Sequence, residues 1–516
     1  MAQTKAINHE EPAERSHGEI MVIIGALMTA MFLAALDQTI VSTALPTIAS
    51  DLNGLSKLSW VATAYLLTSA VVTPIYGKIS DSLGRKKTLT AAVIIFLIGS
   101  MLCGIAQNMD QLVIFRAIQG LGGGGLISLV LATIGDIVPP RQRGRYQGYF
   151  GAVFGVSSVI GPLLGGLFTE HLDWRWIFYI NVPLGLLALT AISLRLHIKP
   201  SATHRKFDVP GSILMAGAVV SLLLALTWGG ITYAWGSGII IGLFAAAAAL
   251  TGMLVWREKT AAEPLFPPRL FKSSIFVVSS ALSFLAGLIM LGSIVFLPLY
   301  QQIVRHESPT VSGLLLLPLV AGLFAGSTLS GQLITKLGRY RQFPIIGNAL
   351  LILGLGLFTQ IQTDTNQVIL SIWMFILGLG VGLSMQVMTL AVQNSSERRD
   401  LGTATAIVTF FRSLGSSVGT AVFGVILTSR LANYLAESLP SQAANLGGSI
   451  EAGSSAVRNL PPEISSIVLT AYTNAFQDVF TAAIPFAAAA FIIALFLKNK
   501  PLRTSTREAA GQPGEM

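Results

Sequence analysis

The sequence predicts an all-α, polytopic membrane protein, and three observations carry that expectation. Of 516 residues, 53% are hydrophobic and only 11% charged, with a mean hydropathy of +0.69. An ordinary soluble domain carries about 25% charged residues. Apolar runs of about 20 residues, long enough to span a bilayer as helices, recur along the whole chain. Lysine and arginine gather in alternate connections between those runs. The same figures exclude a soluble enzyme, a disordered chain and a secreted disulfide scaffold. The continuous runs also argue against an outer-membrane barrel, whose strands would be short and alternating.

In chain order, residues 1–19 hold four glutamates and two basic residues, which predicts a cytoplasmic tail rather than a cleavable signal peptide. Charge, proline and glycine clusters then bound six spans at 20–46, 60–79, 88–107, 112–138, 146–169 and 175–194, an N-terminal bundle over 20–194. A linker over 195–274 carries two extra spans, 210–233 and 237–256. Six more follow at 275–302, 310–335, 343–362, 367–392, 402–428 and 475–497, a C-terminal bundle over 275–497. That bundle includes a long outer segment over 430–474, rich in Ala, Ser and Gly, and residues 498–516 form a second cytoplasmic tail.

Charge placement tests the count of fourteen transmembrane helices. With the N-terminus inside, the inner connections and tails hold 26 of the 33 basic residues. Only Lys57, Arg175, Arg305, Arg430 and Arg458 fall outside, and Arg116 and Arg412 lie within spans. The positive-inside rule therefore favours both termini in the cytoplasm. Topology accounts for the net charge of +9 without a nucleic-acid partner. The lone Cys103 permits no intrachain disulfide or cysteine metal site. The six histidines fall in or beside polar connections, so no metal constellation is expected. No nucleotide-binding loop is present, which argues against ATP as the energy source.

The two bundles carry an internal repeat. Gly77, Gly84 and Arg85 recur at the same spacing as Gly331, Gly338 and Arg339, each set after the second span of its bundle. Repeated halves are the sequence mark of alternating-access transporters. Inside the spans, Asp37 stands alone, since no other charge lies between Glu19 and Asp51. A carboxylate in the bilayer interior costs several kcal/mol unless paired, hydrated or protonated. A group that is charged in one state and neutral in another is what proton coupling requires. Asp37 lies roughly 13 Å inside its span and Arg116 a few residues inside an antiparallel one, so a long side chain can bridge them. A helix-packing or snorkelling Arg116 is the alternative. Arg412 falls near the middle of the thirteenth span with no obvious acid in its own half; it either crosses towards Asp37 or meets an anionic group or a helix carbonyl. Gln38, Tyr65, Gln119, Gln386 and Gln393 are the other polar candidates for a mostly apolar substrate cavity. Gly161, Pro162, Gly165 and Gly166 crowd one span, where small residues allow close helix approach and proline bends the helix.

Five stretches, in order, resemble motifs of a known family. They are Leu36 to Pro46 in the first span, Gly77 to Lys87 after the second, Arg116 to Gly123 in the fourth, Gly161 to Gly166 in the fifth and Trp174 to Pro183 at the start of the sixth. The chain is similar to the major facilitator superfamily, specifically its fourteen-span drug:proton antiporter group, which includes multidrug and quaternary-ammonium exporters. The resemblance covers nearly the whole chain. It implies the major facilitator fold, two six-helix bundles plus two extra central helices. It implies proton coupling at Asp37 and Arg116, with Gln119 beside them. Gly77, Asp81, Gly84 and Arg85 take the place of a conformational latch that stabilises the outward-open state. Gly161 to Gly166 correspond to a motif of export-type antiporters. The second-half loop departs from the pattern, with Thr335 where the first half has Asp81, so the latch should be one-sided.

The expected function is proton-coupled export of hydrophobic, cationic or neutral drugs across the cell membrane by alternating access. Export or flipping of a lipid or lipid-like metabolite is the alternative, favoured by Arg412 and the long outer segment. A solute importer is disfavoured by Gly161 to Gly166. No catalytic cluster or appended soluble domain points to an enzyme. The expected partners are a small lipophilic substrate, protons and membrane lipids, with no nucleic acid and no cofactor beyond the proton gradient, and the chain is expected to act as a monomer.

Overall fold

The structure, a computed structural model, describes residues 17–52, 57–138, 140–196, 207–230, 232–294, 296–438 and 461–502. The first bundle comprises α1 (His17–Asp51), α2 (Leu58–Leu83), α3 (Arg85–Gly104), α4 (Met109–Ile137), α5 (Pro140–His171), α6 (Trp176–Tyr179) and α7 (Asn181–Arg195). The linker holds α8 (Val209–Trp228), α9 (Gly238–Thr260) and the short α10 (Pro268–Phe271). The second bundle comprises α11 (Ser274–Ile294), α12 (Phe296–Ile303), α13 (Pro309–Leu314), α14 (Leu317–Leu337), α15 (Gln342–Phe358), α16 (Gln367–Ser395), α17 (Leu401–Ser438) and α18 (Pro462–Leu495).

Eleven of the described helices are long and apolar enough to cross a bilayer. Shorter apolar helices over Val153–Thr169, Ser274–Met290 and Gln342–Phe358 stand at the other expected span positions. Ile94, Ile98 and Met101 make an exposed stripe on α3, and Leu186, Leu187 and Leu194 another on α7. Such apolar stripes are a liability in water and natural against hydrocarbon. The chain is a multi-pass membrane protein.

The repeat seen in the loops extends to helix packing. In the first bundle α2 lies on α4, α1 on α5 and α3 on α4; in the second, α14 lies on α16, α11 on α17 and α15 on α16. The bundles meet through α5 against α14 and α2 against α17. Aromatic side chains fill the core of the second bundle, with Phe358 stacked on Phe480 at 4.9 Å and Tyr300 edge-on to Phe476 at 5.8 Å.

Two local differences from the sequence expectation have plain causes. The sixth span is broken at Ile180, between α6 and α7. Pro183 supplies no N–H and suits the first turn of a new helix, so the chain restarts there. The segment expected as an outer connection over 430–474 is helical at both ends. α17 runs on to Ser438 and α18 begins at Pro462, while 439–460 lie outside the described residues. With 38 residues, α17 is about 57 Å long, against about 30 Å of hydrocarbon. Leu427, Leu431 and Leu435 are buried with Val468, Ala471 and Tyr472, and Tyr434 donates to Asp478 at 3.0 Å, so the two helices form a packed arm.

The linker helices bridge the bundles. Met215, Val219 and Leu223 of α8 share a core with Phe410 of α17 and touch Leu67 and Val71 of α2. α9 is peripheral, burying only Ile240, Ala247 and Glu258. After α9 the chain fastens to each bundle in turn. Glu263 pairs with Lys78 at 2.9 Å, and Arg269 makes two 2.7 Å contacts with Asp400, just before α17.

Candidate functional site

α1 and α4 run antiparallel. Asp37 stands 14 residues before the end of α1, about 21 Å along the axis. Arg116 stands 7 residues after the start of α4, about 10 Å along. α1 extends further past this level than α4 does, and the two side chains meet in one layer of the bundle. Arg116 Nη1 lies 2.6 Å from Asp37 Oδ2, with Asp37 fully buried and Arg116 only 2% exposed. Arg116 also donates to Gln119 Oε1 at 2.7 Å, and Gln119 Nε2 donates to Asp37 Oδ1 at 2.7 Å. Asn181 Nδ2, at the start of α7, donates to the same Oδ1 at 3.0 Å. The face of the guanidinium stacks on Tyr65 of α2, 4.3 Å from the ring centroid, and its Nε reaches the Val61 carbonyl at 3.3 Å. Four helices thus converge on one carboxylate. A dry ion pair persists only when its remaining donors and acceptors are satisfied, and here three side chains meet both Asp37 oxygens.

Asn181 was not among the expected site residues. It fell within the Trp174–Pro183 motif, but only the break before α7 shows why an amide stands there. The start of α7 points its first side chain inward at Asp37, and Asn181 also donates to Ser100 of α3 at 3.0 Å.

The second cluster lies at the opposite end of these helices, where Lys86, Arg143 and Arg339 also stand. Gly84 joins α2 to α3 at φ 92°, ψ 149°, a backbone state close to exclusive to glycine. That turn sets Asp81 and Arg85 side by side at 2.7 Å, and Arg85 Nε pairs with Asp136 of α4 at 2.7 Å. Arg85 also bonds the Ser80 hydroxyl. Asp81 Oδ2 accepts from the Thr403 backbone N–H at 2.8 Å and from its hydroxyl at 2.6 Å. Thr403 sits in the first turn of α17, so a first-bundle carboxylate caps a second-bundle helix at its positive end. Gly77 faces the same turn, close to Ala406 and Gly402. The corresponding second-half loop has no carboxylate: Thr335 bonds back to the Gly331 carbonyl at 2.8 Å, and Gly338 adopts φ 68°.

The fifth-span motif lines α1 beside the buried carboxylate. Gly161 and Gly165 lie against Thr39, Ile40 and Thr43, leaving no room for side chains. On its other side the motif touches the second bundle, Pro162 against Gly313 and Gly166 near Thr310.

The cavity candidates separate into groups. Tyr65 and Gln119 belong to the Asp37 cluster and are buried, while Gln38 is half-buried on α1. Gln393 lies between the bundles at the latch end rather than in an open cavity, donating to the Leu131 carbonyl at 3.1 Å and to Thr405 at 3.2 Å. Gln386 is buried beside Ser327, Ser330 and Gly331 of α14. Arg412, half-buried on α17, does not reach Asp37, whose oxygens are taken by Arg116, Gln119 and Asn181.

Comparisons with known proteins agree with this architecture. The profile of the Major Facilitator Superfamily matches residues 27–420. An uncharacterized MFS-type transporter, Rv1877 of Mycobacterium tuberculosis, is 42% identical over 481 residues, covering 93% of this chain and 70% of its own. The multidrug transporter protein MdtP of Bacillus subtilis is 38% identical over 516 residues, covering 95% of each chain. Among solved structures, a double-tryptophan mutant of XylE superposes with a TM-score of 0.61 at 14% identity, over 96% of this chain and 99% of its own, which speaks to the fold alone. Sequence and fold together establish that the chain belongs to the Major Facilitator Superfamily, within its drug-efflux group of transporters.

Proposed function

We propose that this protein is a fourteen-span, proton-coupled antiporter of the cell membrane that exports hydrophobic, cationic or neutral compounds by alternating access. Both termini and the latch end face the cytoplasm, as the distribution of basic residues favours. The observation that carries the proposal is the buried pair of Asp37 and Arg116, 2.6 Å apart in the membrane layer. Relatives named multidrug transporters supply the cargo class.

Ionised Asp37 holds α1, α4 and α7 together through its three donors. A proton on Asp37 removes the charge that Arg116 answers, weakens those bonds and frees the three helices to shift. At the other end, Asp81 of α2, bound to the start of α17, keeps the cytoplasmic side shut until the cycle turns. Proton uptake and cargo release then belong to one conformational change, while Gly161 and Gly165 let α5 slide closely on α1.

Asp37→Asn tests the proposal in inverted vesicles with an imposed pH gradient, using a cationic dye and a neutral one. The variant should insert and fold, since asparagine keeps an acceptor for Arg116, but pH-driven uptake should fall more than 100-fold. Full transport would remove Asp37 from the mechanism. Lipid export is the second reading, favoured by the packed arm of α17 and α18. Shortening the chain between Ser438 and Pro462 should then reduce lipid export and spare the dyes.

A further inference from the structure

Among the described residues, the enclosed cations have partners, with one exception. Arg116 has Asp37, Arg85 has Asp81 and Asp136, and Lys78 has Glu263. Arg143 donates to the carbonyls of Val138 and Gly135. Arg412 is half-buried on α17, and among the described residues its guanidinium has neither an ion pair nor a hydrogen bond nor a nearby charge. A half-buried guanidinium with no partner among the described residues is open to a small molecule.

Its place on the helix is fixed. Arg412 stands 11 residues into α17, about 17 Å from the latch end and so near mid-membrane. On the same helix, Gly415 and Gly419 pack against the backbone of Phe284 and Leu288 of α11, and Ser416 donates to the Gly287 carbonyl at 3.3 Å. Gly287 in turn abuts the Arg412 backbone. The helix cannot roll to carry the side chain elsewhere, and Asp37 is already engaged.

An arginine kept within a membrane bundle without an internal counter-charge faces a water-filled path or a ligand. Its five donors form a rigid fork that matches the two oxygens of a carboxylate or phosphate. We propose that Arg412 is an anion receptor in the transport cavity, and that hydrophobic compounds bearing a carboxylate or a similar oxyanion are cargo of this protein. The inference rests on the export reading for its physiological meaning, but a binding measurement tests it without transport.

Purified full-length protein in a neutral detergent is titrated into dansylaminoundecanoic acid and into its primary amide, and binding is followed by fluorescence anisotropy. The acid should bind at least tenfold more tightly than the amide. In Arg412→Gln the acid should lose that preference while the amide binds as before, which also reports an intact fold. Arg412→Lys, a point charge without the fork, should keep only part of the preference. Equal affinities for acid and amide in the unaltered protein overturn the proposal, and so does an unchanged preference in Arg412→Gln. Should that variant not fold, an unchanged acid affinity in Arg412→Lys counts against it. Competition by short-chain phosphatidylglycerol, but not phosphatidylcholine, would identify a lipid headgroup as the source of the anion and uphold the receptor. If pH-driven export fails for every probe while the acid preference persists, the export reading falls and the anion site stands.

Discussion

Among the described residues, two arginines lie well inside membrane-crossing helices, and their surroundings are opposite. Arg116 is answered on every side: a carboxylate, an amide, a carbonyl and an aromatic face all meet it. Arg412 is answered by nothing within the described protein. The same asymmetry marks the loops. The first-half loop binds across to α17 through Asp81, whereas the second-half loop, with Thr335, turns back on itself. A fold built from two similar bundles has therefore divided its labour. The first half holds internal charge pairs, and the second half leaves a charge without a partner among the described residues.

The sharpest way to break this contrast is to remove each arginine. Arg116→Gln should destabilise the protein by about 3–5 kcal/mol, because it strands a buried carboxylate. Transport should fall more than 100-fold. The double variant Arg116→Gln with Asp37→Asn should regain most of the stability and none of the transport, as thermal unfolding in detergent and vesicle uptake would show. Arg412→Gln should leave the unfolding midpoint unchanged or raise it, since no internal partner is lost. A large destabilisation there would mean that Arg412 is a structural residue after all.

The loops give the next contrast. Asp81→Asn removes a charged acceptor at the start of α17 and should cost about 2 kcal/mol. It should also shift the population towards a state open at the latch end, visible as a longer spin-label distance between α2 and α17. Thr335→Asp should produce neither change. The two loop glycines give a further contrast, ending on the smallest effect. Gly84→Ala should cost about 1–3 kcal/mol, because φ 92° with ψ 149° is close to exclusive to glycine. Gly338→Ala should cost only about 1 kcal/mol, since its left-handed helical state is less forbidding. Equal costs at both would remove the conformational reason for keeping Gly84.

Much of this is legible in the sequence alone. Hydropathy marks where the helices run, and the antiparallel arithmetic of two spans brings Asp37 to Arg116. Other features depend on tertiary facts that no local pattern carries. Asn181 reaches Asp37 only because the sixth span breaks before it. Gln393 is an ordinary polar residue in an apolar run until α4 is packed beside it. Asp81 belongs to a loop motif, but its partner Thr403 lies more than 300 residues away. The Ala, Ser and Gly content of 430–474 suggests a solvated or partly helical external cap, but the packing of α17 on α18 is not legible there, because the buried leucines find partners only when both helices are present.

A single proton-coupling carboxylate, as proposed for Asp37, has a consequence for how steep a gradient the protein can hold. If Asp37 exchanges one proton per cycle, the work available is bounded by one proton's descent. At 100 mV and one pH unit, exporting a neutral compound draws on about 3.7 kcal/mol, a concentration ratio of about 500. A monovalent cation moves against the same proton with no net charge, so only the pH difference counts and the ratio stops near about 10. A monovalent anion leaves with the voltage rather than against it, and its ceiling rises to about 20,000. On the proposed one-proton cycle, the charge of the cargo would decide whether a compound's cytoplasmic level is trimmed or emptied.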